Sequence, residues 1–106
     1  MPKYLFAASY TLEGVKGLKA EGGSSRAAAV KEAIEAAGGE LESIYFAFGE
    51  NDVYVIVDCP DNVTAAGFAL AVTAGGGVNA RTVVLLTAAE LDAAVKVSST
   101  YRPPGS

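Results

Sequence analysis

Residues 40–59 read ELESIYFAFGENDVYVIVDC, and the change of period inside this stretch decides the fold. Ile44, Phe46 and Phe48 alternate with Ser43, Tyr45 and Ala47, a repeat of two that belongs to a strand. Residues 49–52 (GEND) are turn formers that close a hairpin, and residues 53–59 (VYVIVDC) return as a second strand. Pairing Phe48 with Val53 sets Phe46 against Val55 and Ile44 against Val57, so one face is wholly apolar. The other face then holds Ala47 with Tyr54, Tyr45 with Ile56 and Ser43 with Asp58. Two phenols and a carboxylate make it mixed.

Upstream of the hairpin, residues 3–9 (KYLFAAS) form a short apolar strand. Thr11 caps one or two helical turns over residues 11–18, weakened by Gly14 and Gly17. Gly22-Gly23-Ser24-Ser25 reads as a loop, and a helix follows through Ala37 with Ala27, Val30, Ile34 and Ala37 at spacings of three and four. Downstream, Pro60 stops the strand and Asp61 caps a helix over residues 63–72, whose stripe is Ala65, Phe68, Ala69 and Val72. Residues 73–80 (TAGGGVNA) are a flexible connection and residues 81–86 (RTVVLL) a fourth strand. Thr87-Ala88-Ala89-Glu90 matches a capping box, with Leu86 and Leu91 as a hydrophobic staple, and opens a short helix to about Lys96. One domain over residues 1–97 and a mobile or partner-draped tail over 98–106 account for the chain. The order is the split βαβ plan of an α+β, ferredoxin-like βαββαβ domain with an antiparallel sheet. Two helices cover only one face of such a sheet, and a partner sheet on the other face gives a dimeric α/β barrel.

Composition supports that reading. The 106 residues are 51% hydrophobic but only 8% aromatic, with no Trp, so the core is built mainly of Ala and Val and is thin. Further burial in a homodimer or higher oligomer offsets a thin core. A net charge of −4 leaves no basic patch for phosphates, which excludes nucleic acid as the expected partner. No apolar run approaches the roughly 20 residues of a membrane span, and no signal-peptide pattern opens the chain, so the expected location is the cytoplasm, away from membranes. Cys59, the single cysteine, agrees with a reducing compartment. The absence of histidine excludes Ser-His-Asp triads and His-based zinc sites, and no cofactor or metal is expected.

Several blocks are linked by their spacing: Tyr10-Thr11-x-Glu13-Gly14-Val15-Lys16-Gly17-Leu18, residues 26–39, Gly49-x-x-Asp52, Val57-Asp58-x-Pro60-Asp61 and Arg81-Thr82. Together they resemble the GYD domain family of small bacterial and archaeal proteins over about residues 3–90. The eponymous Gly-Tyr-Asp segment stands here as Gly49-Glu50-Asn51-Asp52, without its tyrosine. This resemblance implies a ferredoxin-like, dimeric α/β-barrel fold and no settled activity.

Seven residues are candidates for a ligand site: Tyr10, Arg26, Tyr45, Tyr54, Asp58, Arg81 and Thr82. Arg26 lies near the start of a helix, where a cation opposes the dipole. It anchors an anion there or pairs with Glu21, Glu50 or Asp52. Asp52 suits a turn and Asp61 a helix cap, which leaves Asp58 as the carboxylate without an obvious local role. Tyr10, Tyr45 and Tyr54 offer phenols to a cavity, or pack at an interface. Arg81 and Thr82 are a candidate donor pair beside the glycine loop. Gly75-Gly76-Gly77 lacks the Gly-Lys-Ser/Thr of a phosphate cradle and reads as a pliable link. Cys59 shares the apolar parity of Val53, Val55 and Val57 and reads as a buried thiol. Three function classes follow: an oligomeric small-molecule-binding module with its ligand on the mixed face, a cofactor-free isomerase or monooxygenase-like enzyme, and a structural or accessory subunit.

Overall fold

A computed structural model describes residues 1–106. Its elements are β1 (Lys3–Tyr10), α1 (Leu12–Glu21), α2 (Gly23–Ala36), β2 (Glu40–Phe46), β3 (Val53–Asp58), α3 (Asn62–Ala74), β4 (Val78–Leu85) and α4 (Ala88–Val95). The four strands form one antiparallel open sheet in the order β2-β3-β1-β4, the ferredoxin-like arrangement. The first connection is longer and more helical than the sequence pattern suggested. Thr11 caps α1 by accepting the Gly14 N–H, and α1 runs for ten residues. Only Gly22, at φ +83°, separates it from α2, so the expected four-residue loop shrinks to one left-handed glycine.

The hairpin is displaced by two residues from the expected register. Phe46 pairs with Val53, Ile44 with Val55 and Tyr45 with Tyr54, and a bulge lies between Leu41 and Ser43. The turn closes early because the Ala47 N–H donates to the Asp52 carbonyl and the Asp52 N–H to the Ala8 carbonyl. Beyond it the Asp52 carboxylate accepts the Tyr10 N–H at 2.8 Å. A slip of two preserves the face of every residue still in the ladder. Phe48 falls outside it and is fully exposed rather than in the apolar face.

Reading across the ladders, the helix-covered face is built from rows Phe46-Val53-Ala8-Ala80, Ile44-Val55-Phe6-Thr82 and Leu41-Val57-Tyr4-Val84. Its buried core is Tyr4, Phe6, Ala8, Ile34, Val53, Val55, Val57, Cys59 and Ala65. Phe6 and Phe68 pack as a tilted pair with ring centroids 5.2 Å apart. Cys59 is fully buried, and burial pushes its thiol pKa up, which makes it an unreactive packing group. Only 11 of 106 residues are buried, so the core is as thin as the Ala and Val content implies. The opposite face carries the rows Tyr45-Tyr54-Ala7-Arg81, Ser43-Ile56-Leu5-Val83 and Glu40-Asp58-Lys3-Leu85 with no helix over it.

After β4 the chain leaves the body. The expected capping box at Thr87 and Glu90 is present, with both reciprocal bonds made, yet every residue of α4 is exposed. The molecule measures 55 × 33 × 22 Å with a Cα radius of gyration of 16.7 Å. A compact chain of this length has a radius near 13 Å. Its exposed surface is 7165 Å², against about 5,500 Å² expected for a compact monomer of this mass. No helix is long and apolar enough to cross a membrane.

Candidate functional site

The two main helices of the body stand apart. α2 packs over β2 and α3 over β4, and the two touch each other little if at all. Between them runs a cleft of about 860 Å³, roofed at one end by α1. Side chains therefore cover the apolar face of the sheet but do not fill the space between the two helices. The physical reason lies in side-chain size. Ala33 and Ala36 line the cleft from α2, and Gly67 and Ala71 line it from α3, so nothing longer than a methyl reaches across at those positions. The floor residues Phe6, Ala8, Val53 and Val55 are between 3% and 6% exposed. The free space consequently lies between the helices rather than against the sheet.

Polar side chains are few and mostly gathered at one end. Of the 25 lining residues 17 are hydrophobic, and the charged ones are Glu21 and Arg26. Arg26 is the fourth residue of α2, and its Nη1 lies 3.5 Å from Glu21 Oε1, with both side chains about 40% exposed. Such an exposed, long contact is worth about 0–1 kcal/mol. The Tyr10 phenol is beside this pair, its pKa raised chiefly by burial, lowered by Arg26 and raised by Asp52 and Glu21. It is a neutral hydrogen-bond donor at ordinary pH. A second recess of about 420 Å³ shares Tyr10 and Leu18 with the cleft and extends toward Phe46 and Asp52.

Of the seven candidates, then, Tyr10 and Arg26 come together in the cleft. Tyr45 and Tyr54 face each other on the uncovered side of the sheet, 72% and 38% exposed. Asp58 does have a local role: its Oδ1 accepts from Lys3 Nζ at 2.9 Å, and Lys3 also donates to Glu42 at 2.8 Å. Asp58→Asn should lower the melting temperature by no more than a few degrees, since a partly exposed pair contributes about 1 kcal/mol or less. A thermal melt of the variant checks this. Arg81 contacts Asn51 and Glu50 at the surface, at 3.4 and 3.9 Å. Thr82, its neighbour in a strand, points to the opposite face, so the two do not act as a donor pair. Asp61 caps α3 by accepting the Thr64 N–H, which holds its pKa below the usual carboxylate value. No group of three or more acidic or Cys residues is placed to hold a metal ion.

The glycine run has a packing role. The Thr11 N–H and hydroxyl donate to the carbonyls of Gly76 and Gly77, which docks the loop on the start of α1. Sequence reasoning did not find Leu18, Val30, Ala33, Gly67, Phe68 or Val72 as cleft residues. The available signal was the concentration of Ala and Gly on both helices, which marks a gap as readily as a tight contact.

Residues 4–95 match the profile of the GYD domain. The chain belongs to the GYD domain family. The match takes in every residue that lines the cleft and stops at the end of α4. The family description names a domain and no reaction. No match was found among curated proteins or among solved structures.

Proposed function

We propose that this GYD-domain protein is a cytoplasmic, homo-oligomeric module that binds a small organic molecule in the cleft between α2 and α3. The cleft carries the reading. Its volume falls within the roughly 300–1,000 Å³ of small-molecule sites, and its mostly apolar wall with a few convergent polar groups is the usual composition of one. The acid–base alternative is less well supported, because Asp52, Asp58 and Asp61 each already hold a partner.

The oligomer is supported by surface area. The surplus over a compact monomer is about 1,700 Å², whereas a standard interface takes about 800 Å² from each partner. The open row of Leu5, Ile56 and Val83, the unpacked helix α4, with Leu91 and Val95 exposed, and the exposed tail from Lys96 to Ser106 contribute to that surplus. An eight-residue helix is too short to be stable alone in water, so something covers it. We assign the open row and α4 to a second copy, in a dimeric α/β barrel, and Tyr45 and Tyr54 to its interface.

A thermal-shift screen against a metabolite library tests the ligand. A true ligand at a hundredfold its Kd adds about 2.7 kcal/mol of stability, and Ala33→Phe, which puts a ring into the cleft, should abolish the shift. A library without hits, or hits insensitive to Ala33→Phe, would remove the cleft as the site.

A further inference from the structure

The geometry points to an amphiphilic monocarboxylate, an unbranched acyl chain with its carboxylate at the Arg26 end, as the ligand class of the α2/α3 cleft. This rests on the small-molecule reading above and adds to it the chemistry of both ends.

The lining separates into a long apolar body and one charged end. Val30 and Ile44 from one side and Phe68 and Val72 from the other present only carbon to the cleft. Along that body Thr64 is the only polar side chain, too few partners for the repeated hydrogen bonds that a sugar or nucleobase requires. Such a ligand would leave its polar groups unpaired, at a cost that excludes it. A flexible alkyl chain suits a cleft walled by small side chains, because it needs apolar contact and no directional partner.

At the other end Arg26 pairs with Glu21, and Tyr10 lines the same cleft. Arg26 offers the planar fork that fits a carboxylate, and the Tyr10 hydroxyl adds a third donor. The start of α2 strengthens the preference for an anion. Its cap is Gly22, which gives no side-chain acceptor, and no acidic residue stands in its first turn, so the positive end of the helix dipole next to Arg26 is left without a counter-charge from α2 itself. Glu21 is the only carboxylate bonded to Arg26, through a single contact at 3.5 Å. An incoming carboxylate exchanges with it, and Glu21 swings to the solvent that it already meets. A cationic head is disfavoured by Arg26. A neutral alcohol would leave the guanidinium with Glu21 and gain little from this end.

Isothermal titration of the full-length protein with octanoate, decanoate and decanol, below their micellar concentrations, tests both ends. Affinity should rise about fourfold per added methylene from octanoate to decanoate, the increment for burying one CH₂. Decanoate should bind tighter than decanol, and Arg26→Gln should weaken decanoate about tenfold or more while leaving decanol unchanged, since a hydrogen bond to a charged group is lost. Glu21→Gln should strengthen decanoate several-fold by removing its competitor. Arg26 is partly exposed and α2 does not depend on it, so circular dichroism of Arg26→Gln should match the parent protein. If decanol binds as well as decanoate and both are indifferent to Arg26→Gln, the carboxylate assignment fails while the cleft reading survives. If no amphiphile binds yet a library hit responds to Ala33→Phe, the acyl chain is wrong and the cleft is right. If neither binds nor any hit is found, both readings fall together.

Discussion

Gly14→Ala should lower the melting temperature by roughly 10–20 °C, while Gly17→Ala, three residues along the same helix, should raise it by roughly 4–8 °C. Both glycines lie in α1, where composition alone treats them alike as weak helix formers. Their surroundings differ completely. A Cβ built on Gly14 falls well inside contact distance of the Gly77 carbonyl oxygen and 3.0 Å from the Tyr10 ring. The obstacle is backbone, held in turn by Thr11, so it cannot swing aside. Relief requires α1 to lift from the 75–77 loop, with the loss of the Thr11 bonds and of the roof over the cleft, which amounts to about 2–3 kcal/mol. A Cβ on Gly17 meets nothing within 4 Å, so alanine there gains only helix propensity, up to about 1 kcal/mol. Thermal melts of the two variants side by side test this, and two shifts of the same sign would mean that α1 does not dock on the loop.

The same pair shows what was legible in the chain and what was not. Most readings that depend on neighbours a few residues apart led to the right element, the exceptions being the loop expected at residues 22–25, which is helix from Gly23, and the connection expected over 73–80, which is already strand from Val78. The period of two in β2 and β3, the Asp61 cap of α3 and the reciprocal Thr87–Glu90 cap of α4 are all local, and all are present. Register depends on where the turn closes, and that is decided by Ala8 and Tyr10 of β1, some forty residues away, which hold Asp52 from outside the hairpin. Alternation carried past Phe46 to Phe48 looked like strand because nothing near Phe48 marks the end of the ladder. Asp58 looked unemployed because its partner Lys3 is also distant in sequence.

The cleft was illegible for a different reason. An apolar stripe tells which face of a helix turns inward, and both α2 and α3 turn theirs toward the sheet as expected, with Ile34 and Ala65 buried. The distance between two helices on a sheet is set by which strands they sit over and by how far their side chains reach toward each other. With α2 over β2, α3 over β4, and Ala or Gly at the facing positions, the gap stays open. A Leu or Met in place of Ala33 and Ala71 would close it and give an ordinary filled core. Tyr10 and Arg26 were singled out for their chemistry, yet only the tertiary arrangement puts them at one end of the same cleft, whereas the alternation of the hairpin already set Tyr45, Tyr54 and Asp58 on the side of the sheet where the structure has them.

On that other side, Ile56→Glu should convert the proposed oligomer to monomer at micromolar concentration in sedimentation velocity, or drive the protein into precipitation. Ile56 sits in the middle row of the open face, with Leu5 directly across β1 and Ser43 across β2. Around it the polar groups are pushed to the margins. Lys3 donates to Asp58 and to Glu42 at one end, and Arg81 is held by Asn51 and Glu50 toward the other. A carboxylate at position 56 has no cation within its own row, so closing a second sheet over it would bury an unpaired charge, a cost of several kcal/mol against an association that spans one standard interface. In the separated chain the same carboxylate is hydrated and the fold should survive, because Ile56 lies outside the core beneath the helices. Leu70→Glu is the matched control: Leu70 is 71% exposed on α3, away from the sheet, and the substitution should leave the sedimentation coefficient unchanged. An Ile56→Glu protein that sediments like the parent would show that the open face is not the interface, which would overturn the proposed assignment of that face to a second copy.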